Sequence, residues 1–164
     1  MTFKITVNAM ADDTIKIISR NRKARHNYYV EQEFEAGVKL LGSEVKSLRD
    51  GKLQLKDAYA RFEDHELYLV NAHIAPYPQA THEQHEPERD RKLLMHRREL
   101  NRLEHKLSIS GNTLIPLSLY FKGGHVKVEL GLCRGKKLFD KRHDLKKSQA
   151  KREMARAHAR HNEG

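Results

Sequence analysis

The chain has 164 residues, 38% hydrophobic and 33% charged, with one cysteine and 32 Lys/Arg against 22 Asp/Glu. That is room for one domain with one modest core. No stretch nears the roughly 18 apolar residues of a membrane span, and no internal disulfide can form. The net charge of +10 points to a polyanionic partner.

The N-terminus, "MTFKITVNAMADDTIKI", lacks a continuous apolar run and a cleavage signal, so it is not read as a signal peptide. With the lone Cys133 this favours a reducing, cytoplasmic setting. Residues 1–18 read as an extension whose one apolar run is Ile15 to Ile18. From Asn27 the pattern is strand-like: Tyr28, Val30 and Phe34 alternate with Glu31, Glu33 and Glu35. "GSEVKSLRDGK" reads as a two-turn helix. Ser43 is its expected N-cap, Glu44 lies in the dipole-favoured first turn, Val45 and Leu48 share a face, and Gly51 is the stop.

"LQLKDAYARFEDHELYLVNAHIAPY" reads as two strands joined by a turn near 63–65, closed off by Pro76 and Pro78. "QATHEQHEPERDR" reads as a polar loop. "KLLMHRRELNRLEHKL" places Leu93, Leu100, Leu103 and Leu107 at helical spacing, with His96 near them. In "LIPLSLYF", Leu117, Leu119 and Phe121 share a face; in "HVKVELGL", Val126, Val128, Leu130 and Leu132 do. Gly123-Gly124 between them suits a tight hairpin with positive φ. Five or six short antiparallel strands and two helices in about 115 residues suggest a small closed barrel, for which the OB-fold is the natural candidate.

The last segment, "DKRHDLKKSQAKREMARAHARH", is free of Gly and Pro but has only Leu145 and Met154 to bury. Residues 135–164 hold ten Lys/Arg against four Asp/Glu, so most of the excess charge is here. A solubilising tail, a polyanion-binding arm and, more weakly, a membrane-surface arm all fit this charge; no large apolar face accompanies it. The sequence thus divides into an extension (1–18), a body (19–139) and a basic tail (140–164).

Enzymatic chemistry finds little support. His82 and His85 in "HEQHE" are three apart beside a proline, not i and i+4 on a helix. They read as surface histidines. Cys133 lacks the paired thiols of a zinc site. Acids such as Glu31, Glu33, Glu63 and Glu66 alternate as on a solvated strand face, and neither a phosphate loop nor a nucleophile elbow is present. No cofactor, metal site or catalytic residue is expected. RNA binding fares better. "NRKARHNYY" sets Arg22, Lys23, Arg25 and His26 before Tyr28 and Tyr29, cations for phosphates beside rings for unpaired bases.

Six segments in this order carry a family resemblance: "NRKARHNYY", "GSEVKSLRDGKLQLKDAYA", "NAHIAPY", "RKLLMHRREL", "LIPLSLYFKGGHVKVELGL" and "GKKLFDKR". Over roughly residues 19–147 the chain closely resembles the bacterial SsrA-binding protein (SmpB) family, partners of transfer-messenger RNA (tmRNA) in ribosome rescue. The resemblance implies a mainly β fold with flanking helices and an OB-fold-type closed barrel; the tail, an isolated helix of marginal length in water, is expected to be disordered when free and helical on RNA. It implies binding to the tRNA-like domain of tmRNA, with the tail in the decoding centre and empty messenger channel of a stalled small subunit. Alanyl-tRNA synthetase and elongation factor Tu would act through the RNA.

Carried onto this chain, the RNA-facing residues are Asn21, Lys23, Arg25, His26, Tyr28, Glu44, Lys46, His73, Tyr77, Lys92, His96, Arg98, Lys136 and Lys137. For Glu44, a carboxylate among cations, two roles are expected: ordering neighbouring Arg/Lys, or accepting from a base edge or 2′-OH. A purely structural role in the helix's first turn is the third. The ribosome-facing tail residues are Asp140, Lys141, Arg142, Lys146, Lys147, Lys151, Arg152, Arg156 and Arg160. A general OB-fold tRNA or single-strand binder and a constitutive ribosomal protein are the alternatives.

Overall fold

The computed structural model describes residues 14–80, 84–109 and 111–162. The strand-forming alternation of the sequence yields β1 (Ile15–Arg20), β2 (Tyr28–Val38), β3 (Leu53–Gln54), β4 (Tyr59–Glu63), β5 (Glu66–Val70), β6 (His73–Ile74), β7 (Arg91–Leu94), β8 (Asn112–Lys122) and β9 (His125–Gly135). Four helices flank them: α1 (Ala24–Asn27), α2 (Gly42–Arg49), α3 (Arg97–Leu107) and α4 (Leu138–Asn162). The fold is mainly β with flanking helices. All pairings are antiparallel, and they run β8–β4–β5–β7–β2–β9 and back to β8, with β1 added to β8. β3 and β6 make a separate two-stranded ladder. Among the described residues no helix is long and apolar enough to cross a membrane.

The turn chemistry expected of the sequence is present. Gly123 and Gly124 take φ of 55° and 77°, the two positive values of a two-residue hairpin loop. Asp64 and His65 do the same between β4 and β5, at φ of 48° and 60°. The core is built from β-strand leucines and valines, including Leu67, Leu69, Leu114, Leu119, Val128 and Leu130, closed by Leu100 and Leu103 of α3 and Leu48 of α2. Each fully buried leucine contributes about 2 kcal/mol.

Strict alternation fails at three places. The register slips between Ile17 and Ser19 in β1, between Val30 and Gln32 in β2, and between Pro116 and Ser118 in β8. An extra residue in a strand turns every later side chain to the other face. Leu117 therefore does not join Leu119 and Phe121 in the core. It packs with Ala24, Ile115 and Cys133 in a second cluster that also takes Tyr28 and Val30, while Phe34 stays with the main core. The bulges thus create an outer apolar seat, and α1 sits in it through Ala24.

Four other expectations need correction. Residues 15–18 are not outside the body, because β1 pairs with β8. Leu93 belongs to β7, since α3 begins only after His96, where the Glu99 carboxylate accepts from the His96 N–H at 3.4 Å. The N-cap of α2 is Leu41, not Ser43; the Glu44 carboxylate accepts from the Leu41 N–H at 2.7 Å. His85 is a buried residue, not a surface one. Its Nε2 donates to Ile74 O at 3.1 Å and its Nδ1 meets the Ser43 hydroxyl at 2.9 Å, so the ring ties α2 to β6. His82 lies outside the described residues.

Candidate nucleic-acid interface

The motif "NRKARHNYY" forms the connection from β1 through α1 into β2. Asn21 holds it in place: its Nδ2 donates to Pro116 O at 3.1 Å and to Leu55 O at 3.4 Å, and its N–H donates to Leu117 O at 2.8 Å. That amide is a bracket between the bulge of β8 and the end of β3. Lys23, Arg25 and His26 are exposed, as a phosphate-binding turn requires, with Arg25 donating to Glu33 at 2.6 Å. Tyr28 is half-buried against the outer cluster and lines a 290 Å³ cavity with Asn21, Lys23, Lys56 and Tyr59. Tyr29 points the other way and is exposed.

The start of α4 meets this end of the body. Lys136 lies across the Tyr29 ring, 4.8 Å from its centroid, and donates from its backbone to Asn27 O at 2.9 Å. Its ammonium is also held by Asp144, so it is not a free phosphate ligand. Lys137 is exposed, and its N–H is accepted by the Asp140 carboxylate at 3.2 Å, which caps the helix. Lys141 is half-buried. Arg142, Lys146, Lys147, Lys151, Arg152, Arg156 and Arg160 are all exposed, with Leu145 and Met154 exposed beside them. Leu138 and Phe139, 73% and 76% exposed, add an apolar step at the root of this basic helix.

A second group surrounds α2. Lys46 lies 5.5 Å from the Tyr77 ring centroid, and His73 is half-buried in β6. Glu44 faces inward. Its side chain is fully buried and accepts from Arg89 Nε and Nη2 at 2.8 and 2.5 Å and from Arg91 Nε at 2.9 Å. Burial opposes its charge, but Arg89, the Leu41 N–H and Arg91 outweigh that and hold the carboxyl below its ordinary value. Arg91 is itself fully buried and donates to Ala72, Arg89 and Pro87 carbonyls. Glu44 therefore holds two arginines, and its carboxylate is enclosed in the body.

A third group lies on β7 and α3. Lys92 is paired with Glu66 at 3.2 Å, while His96 and Arg98 are exposed at the start of α3. Lys56, Arg89 and Arg91 are not expected from the sequence, whereas Tyr29 is named there with Tyr28. The two arginines sit in a segment that reads as a plain polar loop, and only the fold brings Glu44 to them.

Comparison with known proteins places this surface in context. The family described as "SmpB protein" matches residues 18–160. An SsrA-binding protein of Symbiobacterium thermophilum is 54% identical over 150 residues, covering 91% of this chain and 95% of that one. Those of Carboxydothermus hydrogenoformans and Microcystis aeruginosa are both 53% identical, over 142 and 150 residues, covering 87% and 91% of this chain and 95% and 97% of theirs. A solved chain described as "tmRNA-SmpB: a journey to the center of the bacterial ribosome" is 51% identical, with a TM-score of 0.62 over 73% of this chain and 85% of that chain.

Proposed function

The chain belongs to the SmpB family of SsrA-binding proteins, and from that premise we propose that it binds the tRNA-like domain of tmRNA and carries it to stalled ribosomes for trans-translation. The observation that carries the reading is an arrangement. The exposed Lys23–Arg25–His26 turn and the root of a 25-residue basic helix lie at the same end of the body. One element faces a folded RNA and the other projects from the body. The circuit of strand pairings supports an OB-fold-type closed barrel as the scaffold. Charging with alanine and delivery by elongation factor Tu would then act on the RNA, and the protein contributes shape and charge.

Phosphate contacts release counterions, so affinity should depend steeply on salt. Binding of the tRNA-like domain is expected to weaken at least about tenfold between 50 and 200 mM salt. Lys23→Ala should flatten the salt slope by about one charge. A salt-independent affinity would refute the phosphate-contact reading. Pull-down of the tagged protein with sequencing of the bound RNA tests the partner: enrichment of tmRNA supports the proposal. Equal recovery of ordinary tRNAs points instead to a general tRNA binder. Stoichiometric recovery with every ribosome points to a constitutive ribosomal protein.

In the body-proximal part of α4, Lys136 and Asp144 hold the helix; past Lys147 every side chain through Arg160 is exposed. A helix of roughly 15 residues with no packing is marginal in water. Amide exchange should be fast for residues 148–162 in the free protein and slow in β8 and β9, with protection of the shaft appearing on RNA. Strong protection in the free chain would mean a tail that is ordered before it binds.

A further inference from the structure

α4 leaves the body through a two-residue connection, Lys136 and Lys137, which by itself would let the helix swivel. Lys136 removes that freedom by touching three elements. Its Nζ donates to Asp144 Oδ2 in α4 at 2.6 Å and to Arg25 O in α1 at 3.0 Å, and it covers the Tyr29 ring of β2. Its side chain is only 9% exposed, whereas the tail's other Lys and Arg residues, Lys141 apart, stand in solvent. Asp144 lies almost two turns beyond Leu138, so the contact fixes both the tilt and the rotation of the helix start. The bond from Lys136, against burial, holds the Asp144 carboxyl below its ordinary value.

The lever is long. From Asp144 to Asn162 a helix runs about 27 Å, so a 20° change at the root moves the tip by roughly 9 Å. That is enough to miss a narrow RNA-lined channel. We infer that Lys136 and Asp144 form a clasp that aims the tail, acting as positioning residues for the ribosome-facing contact. This role rests on the two-ended reading above, but the clasp itself can be measured without it.

Spin labels on Glu63→Cys and on Leu145→Cys, an exposed position beside Asp144, report the direction of the helix root in the full chain. Cys133 is fully buried and its thiol is pushed up to about 11 by burial, so it does not compete for the label. The unaltered clasp is expected to give one narrow distance. Asp144→Asn and Lys136→Met should each broaden it, and Asp144→Glu should restore it. With tmRNA and ribosomes programmed with a truncated message, Asp144→Asn should lower peptide tagging at least fivefold at unchanged tmRNA affinity, with Asp144→Glu again restoring it. A broad distance in the unaltered chain, or an equally narrow one in both broken variants, overturns the clasp. A broadened distance with undiminished tagging overturns its positioning role. If the unaltered chain fails to bind tmRNA, the functional reading falls, and the distances alone still decide the clasp.

Discussion

Replacing Glu44 with alanine is expected to destabilise the body by about 3–5 kcal/mol, the cost of leaving a buried charge without its partner. Arg91 is fully enclosed, and its Nε would lose the carboxylate it bonds. Arg89, whose side chain is 28% exposed, can turn to water and suffers less. Glu44→Gln keeps the shape but offers one acceptor oxygen where two are used, at a cost of about 2 kcal/mol. Glu44→Leu combined with Arg91→Met removes both charges and should recover most of the alanine loss. Chemical denaturation of the four proteins would show this order. Equal stability of Glu44→Ala and the unaltered chain would show that the enclosed pair is not holding α2 to the loop before β7.

The same site predicts a pH effect. The folded carboxyl lies below the ordinary 4.5, so the unfolded chain takes up the proton first. The stabilisation is complete above that value and is lost as pH falls through the lowered folded one. Glu44→Gln should flatten this part of the acid limb. RNA affinity measured where both proteins are folded should change little, because the carboxylate does not reach the surface.

Removing residues 148–164 should abolish most rescue while sparing tmRNA binding. This cut leaves the root of α4 and Asp144 in place, which a cut at 140 would not. It removes Lys151, Arg152, Arg156 and Arg160, all of them exposed. Losing one arm of a two-ended binder forfeits avidity of order 10²–10⁴, so tagging on truncated messages should fall at least about tenfold. The removed charges lie mostly beyond the roughly 8 Å screening length at physiological salt, so tmRNA affinity should change by less than about threefold. Full tagging by the truncated protein would show that the tail is only a solubilising appendage. A parallel collapse in tmRNA affinity would place the tail on that RNA instead.

How much of this could be read from the residues depends on range. Signals that act between neighbours were legible: the Gly123-Gly124 hairpin, the alternation of β9, the stop at Gly51, and the exposed basic turn at Lys23–His26. Relations that need a distant partner were not. The bulge at Leu117 is invisible in a period count, because its effect is to change which face the count refers to. Ser43 has the chemistry of a cap, yet its hydroxyl is used by His85, 42 residues away. Glu44 was marked as a carboxylate among cations and its ordering role was one of the possibilities; the fold supplies the cations, Arg89 and Arg91. Lys136 reads as one more basic residue until the fold gives it Asp144 and Tyr29.

The unpacked shaft of α4 also has a consequence at the bench. A run of exposed lysines and arginines on backbone with little to hold it is an open substrate for trypsin-like proteases, while the sheet behind it is not. A single nick after Lys147 would yield a slightly smaller, well-folded fragment that elutes and binds much like the intact chain. Preparations should therefore be checked by intact mass before a weak rescue activity is blamed on a substitution elsewhere.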